Sequence, residues 1–301
     1  MSNSPNDTLP MSPQHTAEDR KLASHAFAEK LYRVGLNLLV LGFAILFLLP
    51  FYWLIATSLK DLAAATATPP IWIPDTIHFE NYSEATTRIP FWRYTLNTLF
   101  VCISAVIGTI ISSALVAWGF SQFEFKGREL FFALTLATMM VPFPVLMVPH
   151  YAIFREIGWI GTLYPLWVPA FFGAAYNIFL LRQFFRALPK ELMEAARIDG
   201  CGELRIFLTI GLPLSRSALM VVGLFAFLYN WNDFMAPLIY LTDESQFTLA
   251  LGLQSFQSRL GGVEINLMMA ATTLMIVPVL VLFFCMQKTF TEGISLSGIK
   301  G

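Results

Sequence analysis

The stretch Glu194-Ala-Ala-Arg-Ile-Asp-Gly200, continuing to Ile210-Gly-Leu-Pro213, is a polar island in a chain that is otherwise mostly apolar. Pro189 is tolerated in a first helical turn, Glu191 and Glu194 suit the positive end of a helix, and Gly200 can end it with a positive φ. These residues predict a short helix of roughly three turns. Leu192, Ala195, Ala196 and Ile198 give it a small-residue face, while Glu194, Arg197 and Asp199 decorate its turns, a combination suited to docking in another protein's groove. A second short helix is expected over 203–209, with Pro213 breaking the chain after it.

Outside the island, composition decides the class. Of 301 residues, 56% are hydrophobic and 13% charged, with mean hydropathy +0.63. A soluble domain carries roughly twice that share of charge. The apolar runs are too long for globular helices, which predicts an all-α polytopic membrane protein with six transmembrane helices near 34–59, 95–120, 130–154, 163–181, 218–241 and 267–286. Residues 1–20, rich in Ser, Asn, Pro and Thr, read as a disordered cytoplasmic tail. Residues 21–301 then form one six-span domain, with the polar island in a loop at 187–215.

Charge sets the expected orientation. Of the 19 Lys and Arg, Lys60, Arg88, Arg93, Arg155 and Arg259 fall in outer loops and all the others on the opposite side. That bias places both termini and the Glu194 loop in the cytosol. Residues 60–93, with Pro69, Pro70 and Pro74, suit a turn-rich cap on the outer surface. Pro142, Pro144 and Pro149 should kink or break the third span. Broken backbone at membrane depth needs cover from protein or water, so this span either lines the bundle interior or is an ordinary proline-bearing helix. Arg182 and Arg186 read as snorkelling anchors.

Chemistry-bearing residues are few. No Gly-x-x-x-x-Gly-Lys-Ser/Thr loop is present to cradle ATP phosphates, and the four histidines and three cysteines lack ligand or disulfide spacing. Catalysis, metal binding and nucleic-acid binding are not expected. The fifth span contains Tyr229-Asn230-Trp231-Asn232-Asp233-Phe234. A carboxylate at the bilayer centre costs about 2.5–3.5 kcal/mol on insertion scales, so Asp233 should face the bundle interior, water or a partner. Tyr229, Asn230, Trp231, Asn232 and Asp233 either line a hydrophilic passage, with Trp231 offering a face for sugar stacking, or bond other helices and hold the bundle together. Asn97 and Asn177 are weaker candidates for the passage.

The longer pattern, with Gly200 four residues after the second Ala, Ile210 ten further on, and Leu212-Pro213 beyond, resembles the EAA loop of ABC importer permease subunits. Trp231-Asn-Asp-Phe234 followed by Pro237-Leu238, and the small flexible tail 289–301, are similar to carbohydrate permeases of the maltose type. Ser217 stands where that family often has Pro. The resemblance implies that Glu194, Ala195, Ala196, Arg197, Asp199, Gly200, Leu212 and Pro213 couple this chain to an ATPase subunit. It further implies two ATPase subunits that use ATP and Mg, a second permease subunit, and an extracytoplasmic substrate-binding protein meeting 60–93 and 242–264. The implied location is the bacterial plasma (inner) membrane, and the implied activity is alternating-access import of a sugar or oligosaccharide by a chain that binds no cofactor and is not itself an enzyme. Import of a non-sugar solute such as glycerol phosphate stays open. So does an ATP-independent channel or secondary transporter, although that would want paired ionisable residues in several spans.

Overall fold

Long apolar runs without interior charge have no option in lipid but to close their backbone hydrogen bonds within helices, and helices are what form. The computed structural model describes residues 13–257 and 262–297, with side chains for 29–257 and 262–287. Among the described residues the only β pairing is an isolated bridge between Gln257 and Val263. The chain divides into two units, residues 1–56 and 57–301.

Helix α1 is Pro13–Ser58. It reaches back into the expected disordered tail. Ala17, Glu18, Arg20, Lys21, Leu22 and Ala23 are good helix formers, and extending an existing helix avoids the cost of nucleation. Residues 1–12 lie outside the described residues. Side chains from 29 to 52 are all exposed.

In the second unit, α2 (Leu62–Ala65) and α3 (Glu80–Arg88) form the 60–93 segment. Asn81 donates to the carbonyls of Ser58 and Lys60 at 2.9 and 2.7 Å and accepts from Asn266 at 3.3 Å, while Arg88 makes a two-pronged pair with Glu264. Helix α4 (Phe91–Gln122) is the central post and packs along α8 (Ala175–Arg186) and α12 (Arg216–Trp231). Its packed face carries Ala105, Gly108, Ser112, Ser113, Ala114 and Ala117, small residues that let other backbones approach closely.

Among the described residues four helices are long and apolar enough to cross a membrane, Glu29–Ser58, Phe91–Gln122, Tyr164–Arg186 and Ile265–Gln287, and two bent pairs bring the total to as many as six. One bent pair is the expected broken third span. Helix α5 (Arg128–Ala137) and its 3-10 extension meet α6 (Phe143–Glu156) at 98° where Pro142 forces Val141 into extended backbone.

The fourth span departs from the continuous helix expected over 163–181. Helix α7 (Tyr164–Trp167) runs into a 3-10 stretch, Val168–Phe172, and helix resumes at α8 after Gly173 at φ +94°. Pro169 removes a donor there, and α4 covers the resulting irregular backbone. Ser112 donates to the Ala170 carbonyl at 2.9 Å, and the Ala174 N–H donates to Ser113 at 3.4 Å. The expectation of an ordinary span takes no account of Pro169 and Gly173, nor of the serines on another helix that make the break tolerable.

Beyond α9 (Lys190–Ile198), α10 (Glu203–Ile206) and α11 (Leu212–Leu214) flank a π turn over Phe207–Gly211. Pro213 does not break the chain, because it sits in the opening turn of α11 where its missing N–H is not needed. The break falls at Ser215, where the axis bends by 79° into α12. Helices α13 (Met235–Tyr240) and α14 (Leu249–Gly252) precede α15 (Ile265–Ser297), which continues past the expected end of the sixth span. The tail expected at 289–301 is therefore helical backbone as far as Ser297, and residues 298–301 lie outside the described residues.

Two main apolar clusters hold the second unit. One joins Trp118, Phe185, Met193, Ala196, Phe207 and Val222, and so includes α9 itself. The other gathers Tyr94, Trp231, Leu249, Phe256 and Leu267 toward the opposite end of α4.

Candidate functional site

Helix α9 forms as the sequence predicts, and its end is a Schellman motif. Gly200 lies at φ +78°, its N–H donates to the Arg197 carbonyl at 3.0 Å, and Cys201 N–H donates to the Ala196 carbonyl at 2.9 Å. Its faces differ from expectation in one respect. Met193 and Ala196 are buried at 2% and 9% exposure, so Ala196 belongs to the anchored side, whereas Leu192, Ala195 and Ile198 point away from the chain, Ile198 at 86%. Helical periodicity puts Met193 and Ala196, three apart, on one stripe.

Around the outward face lie Glu194, Asp199 and Gly200, all exposed. Arg197 donates to Glu203 at 2.7 Å, and that bond, reinforced by the Glu203 and Glu194 charges, raises its already high pKa and keeps it cationic. Leu204 and Leu208 add exposed apolar surface beyond Gly202. Leu212 is half-buried against the first cluster and Pro213 is exposed. The eight residues singled out in sequence therefore share one region, but Ala196 and Leu212 act as its foundation. An exposed apolar face ringed by charge is what a partner's groove requires.

The fifth-span cluster is not mid-helix. Helix α12 ends at Trp231 and α13 begins at Met235, leaving Asn232, Asp233 and Phe234 outside regular helix. Pro237 cannot donate to the Asp233 carbonyl, and the Asp233 carboxylate instead accepts from Ala236 N–H at 3.2 Å. Trp231, a candidate stacking face, is 1% exposed, donates to the Met275 carbonyl at 3.2 Å and stacks on Phe227. A buried indole with its N–H satisfied is a core residue, and the passage role is withdrawn for it. Asn230 and Asn232 donate to Ala226 and Leu228 carbonyls, with Asn230 half-buried and Asn232 exposed. Tyr229 is 68% exposed and Asp233 half-buried. Tyr229, Asn230, Asn232 and Asp233 are thus the members of the cluster left partly or fully exposed.

Asn97 also leaves the passage set, because its amide donates to the Ser245 and Phe247 carbonyls, both at 3.0 Å. Asn177 is buried with its carbonyl oxygen unpaired. Arg182 corrects the snorkelling expectation: it is 3% exposed, bonded to Phe120 and Glu129, and stacked over Phe132. Among the described residues no cluster of three or more His, Cys, Asp or Glu could hold a metal.

The family described as "Binding-protein-dependent transport system inner membrane component" matches residues 105–295. The chain is 32% identical over 270 residues to the arabinooligosaccharides transport system permease protein AraQ of Halalkalibacterium halodurans, covering 88% of this chain and 96% of that one. It is 34% identical to the sn-glycerol-3-phosphate transport system permease protein UgpE of Shigella flexneri, over 86% of this chain and 94% of the other. A crystal structure of a bacterial ABC transporter importing the acidic polysaccharide alginate superposes with a TM-score of 0.75 at 23% identity, covering 87% of this chain and 97% of that chain.

Proposed function

The chain belongs to the family of binding-protein-dependent transport system inner membrane components, and on that premise we propose that it is the permease subunit of an ATP-driven importer for an oligosaccharide, with α9 as the element its ATPase partner grips. The observation that carries this is the two-sidedness of α9. Met193 and Ala196 fix it in the core shared with α4, α8 and α12, while Leu192 and Ile198 stand exposed beside Glu194. A helix fastened on one side and exposed on the other can transmit force from whatever grips the exposed side.

ATP and Mg are used by two ATPase subunits on the cytosolic side, a second permease subunit completes the passage, and a substrate-binding protein delivers solute to the outer face. The oligosaccharide assignment follows the relatives that carry arabinooligosaccharides and diacetylchitobiose. The sn-glycerol-3-phosphate relative supports a second reading. The groups open to solute in the fifth span disfavour it: Tyr229 and Asn232 are neutral, and Asp233 would repel a phosphate.

Vesicles holding the assembled transporter should take up labelled arabinooligosaccharide or diacetylchitobiose only with ATP and the binding protein. Uptake without ATP would remove the importer reading, and uptake of sn-glycerol 3-phosphate alone would remove the sugar.

A further inference from the structure

We infer that Trp118 of α4 is the positioning residue through which movement of the α9–α11 segment reaches the membrane spans, with the π turn Phe207–Gly211 as the joint that yields. The inference rests on the coupling reading above and names the part of this chain that receives the motion.

Trp118 is buried and touches both sides of the junction. Its ring meets Phe185 of α8 edge-on at 5.2 Å between centroids and Phe207 of the π turn at 5.4 Å. A Cβ placed on Gly211 would lie 2.5 Å from the indole, so the backbone at the end of the π turn rests directly on the ring. Met193 and Ala196 of α9 belong to the same cluster. Close-packed interiors pass on displacement and do not absorb it, so a shift of α9 can reach Trp118 through the cluster they share. Similar ring-on-glycine contacts join Phe171 to Gly108 and Tyr94 to Gly252, but neither lies on a π turn.

What marks this junction as movable is its poor local bonding. Single π turns inside helices are uncommon and recur at functional positions. The 79° bend at Ser215 follows four residues later. Trp118 Nε1 and Ser215 Oγ are both buried without a hydrogen-bond partner. Unpaired buried polar groups raise the energy of the arrangement that holds them, so any arrangement that paired them would be favoured by that amount.

The test uses the assembled transporter with Asn232→Cys as reporter, on a background in which the native cysteines are replaced by Ser. The rate at which a charged methanethiosulfonate labels position 232 is compared before and after trapping with Mg-ATP and vanadate. Trapping should change that rate by about fivefold or more when Trp118 is present. Trp118→Ala and Gly211→Ala should reduce the change to under about twofold while the ATPase subunits stay bound and still trap nucleotide. Trp118→Phe, which keeps an aromatic plate, should retain it. A full change surviving in Gly211→Ala with the ATPase attached would overturn this inference alone. If the parent complex shows no change, or no ATPase attaches to it, the coupling reading falls and this inference with it.

Discussion

Arg182 and Glu129 form an ion pair at 2.6 Å in which only one partner is buried: the Arg182 side chain is 3% exposed and that of Glu129 63%. The guanidinium also donates to the Phe120 carbonyl and lies 3.9 Å from the Phe132 ring centre. One buried cation thus ties the end of α4 and the start of α5 to α8. Removing Glu129 strands that cation, whereas removing Arg182 leaves a carboxylate in water. Glu129→Ala should cost about 2 kcal/mol, less than for a fully buried pair because water can reach in, and Arg182→Met under about 1 kcal/mol. Thermal unfolding in detergent gives the order, and a larger loss for Arg182→Met would contradict it.

Trp231 and Tyr229, two residues apart, should respond in opposite ways. Trp231→Ala opens a large cavity and should cost about 3–5 kcal/mol. Trp231→Phe loses the bond to Met275 for about 1 kcal/mol. Tyr229→Ala should leave stability within about 0.5 kcal/mol and weaken half-saturation of uptake if its exposed ring meets the solute. Unfolding midpoints beside uptake curves for the same variants decide the matter.

Gly200 has open space where a Cβ would go, so its requirement is conformational and not steric. At φ +78° an alanine should cost roughly 1–2 kcal/mol, and asparagine less, with the helix end loosened accordingly. Binding of the ATPase subunit should weaken in the order Val, Ala, Asn. Equal binding by all three would mean that the Schellman end does not set the pose of α9.

Asp243 accepts from the Ser245 N–H and hydroxyl, both at 2.8 Å, and these bonds hold its carboxyl below the usual range. A depressed folded pKa gives stability that is present above the unfolded value of about 3.9 and is lost as pH falls through the lower folded one. Asp243→Asn should flatten that part of an unfolding-midpoint profile taken between pH 6 and 3. An unchanged acid limb would show that other carboxylates carry it.

Much of this architecture could be read from one chain because lipid punishes unpaired backbone, so apolar run length and loop charge are nearly sufficient for the spans. Helix α9 was legible for a related reason, since its glycine, acids and apolar residues are all local signals. What stayed hidden depends on partners distant in sequence. The fourth span was expected as an ordinary helix, and its 3-10 break at Pro169 is acceptable only because Ser112 and Ser113 of another helix pack beside it. Trp231 was open to two readings, stacking platform or bundle-holding residue, and nothing nearby in sequence foretold the Met275 carbonyl that decides for the second. Arg182 looked like an anchor for the same reason, Glu129 being a helix away.

Asn97 clasps the carbonyls of Ser245 and Phe247, and the neighbouring Thr98 hydroxyl takes the N–H of Leu249 at 2.8 Å. Loop 245–249 is thereby stitched to α4, the same rod that carries Trp118 near its other end. If the importer reading holds, a push on that loop and a tug on α9 would be felt by the same helix. On that reading, the arrival of a loaded delivery protein and the grip on α9 would share one helix as their common line.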